Sequence, residues 1–159
     1  MIRVNKILNH KVFNEYLERI NKAEENRLFC LHNIGHLLDV ARVGYIISLE
    51  KGFNLDKEMI YAASLLHDIG RWKQYLDGSD HALVSARLAV DILKECDFND
   101  QEIDGIIESI KKHRKGKDLI TNLDFVLYHG DKKSRLCLKC NSINECLKGE
   151  KEDYLKLEY

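Results

Sequence analysis

The sequence predicts an all-α, single-domain fold. Three observations carry that expectation. The 159 residues contain no proline, where an average composition would place roughly eight, and proline is the residue that breaks helix interiors. Glycine is sparse, at nine. Apolar residues recur at helical rather than alternating spacing along most of the chain. No repeat, linker or low-complexity segment divides it, and its length suits one ordinary domain. We therefore read 1–159 as one unit, with a core over about 30–135 and a Cys-containing C-terminal tail over 136–159.

The first segment, about Asn5 to Arg27, carries Ile7, Leu8, Val12, Phe13, Tyr16, Leu17 and Ile20 at helical spacing and predicts one amphipathic helix. The second, about Phe29 to Lys51, has Leu31, Ile34, Leu38, Ala41 and Tyr45 on one stripe and His32, His36, Val40, Val43 and Ile47 on another. A helix with two buried faces runs through the middle of a fold, so His36 points inward. A third helix opens near Asp56, carries the apolar run Met59 to Leu66 and ends in His67-Asp68-Ile69-Gly70, with Gly70 as its stop. Gln74 to Gly78 reads as a polar loop, and Ser79 as the cap of a helix over about Asp80 to Cys96. His81 lies in the first turn of that helix, where the positive end of the helix dipole favours a neutral imidazole. Asn99 and Glu102 form a capping box before Ile103, Ile106, Ile107 and Ile110, and His113 continues their face. The last clear helix, about Thr121 to His129, buries Leu123 and Leu127, and Asp131 falls one further turn along the same face.

The ionisable residues on inward faces form a set from five segments: His36, His67, Asp68, His81, His113 and Asp131. Six such groups in an apolar interior carry a heavy desolvation cost, which coordination of a cation removes. His67 and Asp68 present an imidazole and a carboxylate to one ion; His36 and Asp131 complete a mixed nitrogen and oxygen shell with open positions. Such ligands suit Mn, Fe, Co, Ni or Mg rather than a structural tetrahedral zinc. His81 and His113 are placed to hold a second ion, with Asp68 bridging. An open cation lowers the pKa of bound water and polarises a phosphoryl oxygen, so hydroxide held there would attack phosphorus in line.

The order of His36, His67-Asp68 within "LLHDIGR" and Asp131 within "DKKSR" resembles the HD domain superfamily of metal-dependent phosphohydrolases. "HNIGHLLDVAR" is similar to that family's first motif, in which the ligand precedes a Val-Ala pair, which assigns the role to His36 rather than His32. The resemblance covers about Cys30 to Arg135. His81 and His113 resemble the extra ligands of two-metal members, such as the dinucleoside tetraphosphate hydrolases; the His-His and Gly-Tyr-Pro signatures of the cyclic-di-GMP enzymes are missing. The resemblance implies helices packed around the metal and phosphate-binding cations beside it. Arg71, Arg114, Lys132 and Arg135 each flank a proposed ligand and are expected to meet an anionic substrate. His32, one turn before His36, is a substrate contact, a supporting group or a packed core histidine.

Formal charge is -1, so no overall field recruits a nucleic-acid polymer or a membrane. No apolar run reaches the ~20 residues a membrane span needs, and Met1 to Asn14 lacks a signal-peptide core. A cytoplasmic location is the expectation, with the five cysteines as thiols or metal ligands. Cys137-x2-Cys140-x5-Cys146 has spacing suited to thiolate ligation. Cys30 lies six residues before His36 and Cys137 six after Asp131, so the two should be neighbours. Two readings stand: Cys30, Cys137, Cys140 and Cys146 hold zinc or an iron–sulfur cluster, or they are reduced free thiols. Cys96 reads as a core thiol.

The expected activity is hydrolysis of a phosphomonoester or phosphoanhydride in a small phosphorylated substrate, most simply a nucleotide, with Asp68 as the catalytic carboxylate and one or two transition-metal ions (Fe, Mn, Co or Ni). A di-iron oxygenase on the same fold and a non-catalytic nucleotide sensor are the alternatives. Substrate identity and oligomeric state are left open by the sequence.

Overall fold

The computed structural model describes residues 1–146 and 156–159. Among them the chain forms eight α-helices and no strand: α1 Ile2–Asn9, α2 Lys11–Ala23, α3 Ile34–Glu50, α4 Lys57–Leu66, α5 Arg71–Asp77, α6 His81–Glu95, α7 Asp100–Lys112 and α8 Asn122–Lys133. Two single-turn 3-10 helices follow, Cys137–Lys139 and Ile143–Glu145. The expected tail over 136–159 is described only in part, because residues 147–155 lie outside the described set.

Local chemistry places the helix ends. Asp56 caps α4 by accepting from the Glu58 and Met59 amides. Asn99 and Glu102 make the expected capping box on α7, and Thr121 and Asp124 make a second on α8. The first segment is two helices rather than one, because the chain turns into an extended conformation at His10. The second helix starts at Ile34, capped by Asn33, later than its apolar pattern predicts. Leu31 and Ile34 are consequently exposed, at 43% and 36%, and the buried face is Leu37, Val40, Ala41, Gly44 and Ile47. The polar stretch after Gly70 is a helix, α5, with no buried residue to announce it. Asp80, not Ser79, caps α6; the Ser79 hydroxyl donates to Asp77 at 2.5 Å.

α4 lies at the centre of the bundle, touching α1, α3, α6, α7 and α8. Its Leu65, Leu66 and the following Ile69 are fully buried with Ile92, Leu93, Ile106 and Val126 from α6, α7 and α8. Two glycines set the approach of elements that carry ionisable groups. A Cβ on Gly130 would stand 2.9 Å from the Val40 carbonyl oxygen, so α8 crosses α3 backbone to backbone one residue before Asp131. A Cβ on Gly70 would stand 2.7 Å from the Ser85 amide nitrogen, and the Gly70 amide donates to the Ser85 hydroxyl at 2.9 Å. Gly70 thus serves close packing of the α4–α5 turn on α6 rather than a left-handed stop; its φ is -89°.

Candidate metal centre

Five of the seven histidines form one continuous arc of rings. His32 and His36 lie 5.5 Å apart by centroid, His36 and His67 5.7 Å, His67 and His113 4.9 Å, and His113 and His81 5.3 Å. Asp68 and Asp131 sit within the arc, both buried. His36 comes from the first turn of α3, His67 and Asp68 from the end of α4, His81 from the first residue of α6, His113 from the end of α7 and Asp131 from the last turn of α8. Helix α8 runs beyond His129, so Asp131 is helical and does share the buried face of Leu127.

Three rings are held by their Nδ1 atoms. The His67 Nδ1–H donates to the Ser64 carbonyl at 2.7 Å and the His113 Nδ1–H to the Ile110 carbonyl at 2.7 Å. A carbonyl can only accept, so Nδ1 of each ring carries a proton and Nε2 faces the arc. The His81 Nδ1 lies 2.7 Å from the Gln74 side-chain oxygen and 3.1 Å from Arg71 Nη1. Such outward bonds are what orient histidine ligands.

The electrostatics favour a cation. Burial lowers the His36 imidazole to about 4 and the His81 imidazole to about 3, so both rings are neutral near neutral pH. Burial would raise the Asp68 carboxyl, but His67 and then His113 hold it well below the usual range. Burial would likewise raise Asp131, which His36, Lys132 and Arg135 hold down. Burial would lower His67, yet the Asp68 and Asp131 carboxylates raise it. Two carboxylates and the neutral His36 and His81 rings around one point attract positive charge.

The donor set fits a metal on a further observation. His67 Nε2 and Asp68 Oδ1 are buried atoms without a hydrogen-bond partner among the described residues, although neighbours are close. His67 Nε2 is 3.1 Å from Asp68 Oδ2, and Asp68 Oδ1 is 3.2 Å from His81 Nε2 and 3.7 Å from His113 Nε2. Buried polar atoms left without hydrogen-bond partners are costly unless a cation sits among them. Ligand atoms of His36, His67 and Asp68 all lie within 4.8 Å of one another, as do those of Asp68, His81 and His113. Asp68 belongs to both groups. Asp131 Oδ1 stands 3.4 Å from His36 Nε2 and 3.9 Å from His67 Nε2, while its carboxylate also receives Lys132 and, at 2.9 Å, Arg135.

A cleft of about 400 Å³ opens on this cluster. Arg71, Arg114, Lys132 and Arg135 all line it, and so does His32. Arg71 Nη1 is 3.1 Å from the His81 ring nitrogens and Arg114 is 3.2 Å from Asp80. Tyr128 adds an aromatic wall, with Lys132 5.4 Å over its ring.

Sequence reasoning missed Glu24. It lies just past α2, is 3% exposed, and accepts from the His32 amide at 2.7 Å, from His32 Nδ1 at 2.5 Å and from the Tyr75 hydroxyl at 2.5 Å. This holds His32 with Nε2 facing Asp68 Oδ2 at 3.8 Å. No pattern marks Glu24, because it sits in the polar run Asn21 to Arg27.

Four of the cysteines line two hollows that share Cys30. Cys30 lines a hollow with Cys137 and Cys140, and another with Cys146. Cys96 is 1% exposed within the core. No helix among the described residues is long and apolar enough to cross a membrane.

Comparison with known proteins identifies the family. Residues 33–136, more than half of the chain, match the HD domain family. A protein of Clostridium beijerinckii, described only as uncharacterized, is 41% identical over 159 residues, covering 100% of both chains. No solved structure matches the chain. An all-helical bundle with a buried His/Asp cluster and this family match together place the chain in the HD domain superfamily of metal-dependent hydrolases.

Proposed function

We propose that the chain is a metal-dependent phosphohydrolase acting on a phosphomonoester or phosphoanhydride in a small molecule, with nucleotides the first class to test. One observation carries the reading: the cleft that reaches Asp68, His81, His113 and Asp131 is also lined by Arg71, Arg114, Lys132 and Arg135. Ligands for a cation and side chains for an anion share one space, although the chain as a whole is nearly neutral.

His36, His67, Asp68 and Asp131 are the ligand set we assign, with His81 and His113 joining Asp68 in a second group. A divalent transition metal bound there supplies a Lewis acid for a phosphoryl oxygen and makes water acidic enough to deprotonate near neutral pH. The guanidinium groups of Arg71, Arg114 and Arg135 and the Lys132 ammonium bind the phosphoryl oxygens and offset the charge that builds on them. The Asp68 carboxylate is ionised, belongs to both ligand groups and would orient the water activated there. Glu24 fixes the His32 ring at the cleft wall, where its Nε2 contacts substrate.

The test is metal quantification on the isolated protein coupled to phosphate release across a nucleotide panel with Mn, Fe, Co and Ni. His67→Ala and Asp68→Ala should each lower bound metal and reduce turnover by at least about a thousandfold, in the range expected when an activating group is removed. Unchanged activity in either variant would refute the assignment; oxygen uptake without phosphate release would replace hydrolysis with oxygenase chemistry.

A further inference from the structure

The two 3-10 turns after α8 bring Cys137, Cys140 and Cys146 against the loop that enters α3. The Ser142 hydroxyl donates to the Leu28 carbonyl at 2.8 Å, which fastens the Cys-bearing segment to that loop. Cys30 lies in the same loop, its carbonyl accepting from Arg27 Nε at 3.1 Å. Cys30 borders Cys137 and Cys140 on one side and Cys146 on the other. Thiols from two segments more than a hundred residues apart thus line two hollows that share Cys30, outside the His/Asp cluster. None of the five cysteines is in a disulfide.

We propose that Cys30, Cys137, Cys140 and Cys146 form a second metal site, a four-thiolate centre holding zinc or an iron–sulfur cluster. Its donor chemistry is uniform and soft, unlike the His/Asp cluster, so it selects a thiophilic metal. Each thiol releases its proton on ligation, and a tetrathiolate zinc keeps two negative charges. Cations stand ready for that charge. Arg135 lines both hollows that Cys30 borders, Arg27 donates to the Cys30 carbonyl, and Arg71 borders the Cys30–Cys146 hollow.

Spacing bears on which metal is held. No three of these sulfurs lie all within 4.8 Å of one another, as the ligand atoms of the two His/Asp groups do. A single zinc, at ~2.3 Å to each sulfur, draws its ligands to ~4 Å apart and so needs the thiols to rotate inward. A cluster spans a wider set without that closure.

The full-length protein, purified without air, settles the matter. Zinc, iron and acid-labile sulfide are measured in the wild type and in His67→Ala/Asp68→Ala, which removes the other site. The expected result is about one zinc, or about four irons with matching sulfide, per chain in both proteins. Cys137→Ser and Cys140→Ser should abolish it in the double-variant background, and Cys96→Ala should not. Should a serine variant fail to fold, stepwise mercurial titration of the wild type gives the answer independently, because metal or sulfide must be released in proportion to thiols modified. Absence of metal in the double variant, metal retained after loss of Cys137 or Cys140, or thiols that react with no release would each overturn the proposal.

Discussion

Glu24 receives three hydrogen bonds in a place almost closed to water: the His32 amide, the His32 ring and the Tyr75 hydroxyl. Burial would raise its carboxyl, but His32 and then Tyr75 lower it, so it is an anion holding a ring that faces the cleft. Glu24→Gln keeps the shape and removes the charge. It should reduce phosphate release by about ten- to a hundredfold, the size seen when a group that orients a site imidazole is lost, with bound metal unchanged. A fall in metal content equal to the fall in activity would show instead that His32 is a ligand. His32 and His36 illustrate what is legible at this scale. Both are visible in the sequence as inward imidazoles; the carboxylate that assigns one of them its place arrives from 8 residues earlier, across a chain reversal that no local pattern encodes.

Helices α3 and α8 are held at their crossing by the bare backbone of Gly130 against Val40. Because the obstructing atom is a carbonyl oxygen, it cannot swing aside. Gly130→Ala should therefore cost about 1–3 kcal/mol in urea unfolding, the usual range for overpacking, and should lower metal affinity by moving Asp131 away from His36. A fully stable variant with unchanged affinity would show that the crossing has slack. The α7–α8 connection is held differently. Asp124 accepts from Ser109 at 2.6 Å, Lys112 at 2.8 Å and the Ile120 amide at 2.9 Å. Burial would raise its carboxyl, but Lys112 and Ser109 bring it down to about 2. A depressed carboxyl stabilises the fold above its unfolded value, ~4, and loses that contribution as pH falls toward its folded value. Allowing for the half-open Lys112, we expect about 1–2 kcal/mol. Asp124→Asn should be less stable than wild type near neutral pH and nearly equal to it at about pH 2; a difference independent of pH would leave the hydrogen bonds alone as the cause.

Most helices were legible because apolar periodicity and side-chain caps coincide, as at Asp56 and at Asn99 with Glu102. Two were not, and for physical reasons. The break at His10 has no proline or glycine to mark it. Helix α5 buries no residue, so it has no apolar stripe to read; it is set by packing of the Gly70 turn on α6. The early limit of α3 at Asn33 was obscured by Leu31, an exposed apolar residue that continues the pattern.

For the whole molecule, the His/Asp cluster draws on α3, α4, α6, α7 and α8, so a cation bound there links five elements of the bundle. Ligation should stabilise the entire chain in one transition by about 2.7 kcal/mol at a hundredfold excess over Kd, and so raise its unfolding midpoint. Calorimetry with and without Mn or Co checks this, and Asp68→Ala should remove the shift. A midpoint unmoved by metal in the wild type would mean that the cluster is already satisfied within the protein. At this scale the sequence announced the cluster well, because six buried polar groups in apolar segments demand a common partner. The closeness of the cysteines could be anticipated from their offsets to His36 and Asp131, but the turns that carry them have no periodicity to read.

His67 closes α4 and His113 closes α7, each ring tied to a carbonyl of its own last turn. Two helices therefore aim their carboxyl ends, the negative poles of their macrodipoles, at the same spot. On the proposed reading, that field and the carboxylates of Asp68 and Asp131 favour a cation entering the pocket before an anion does, with Arg71, Arg114, Lys132 and Arg135 left to meet the anion.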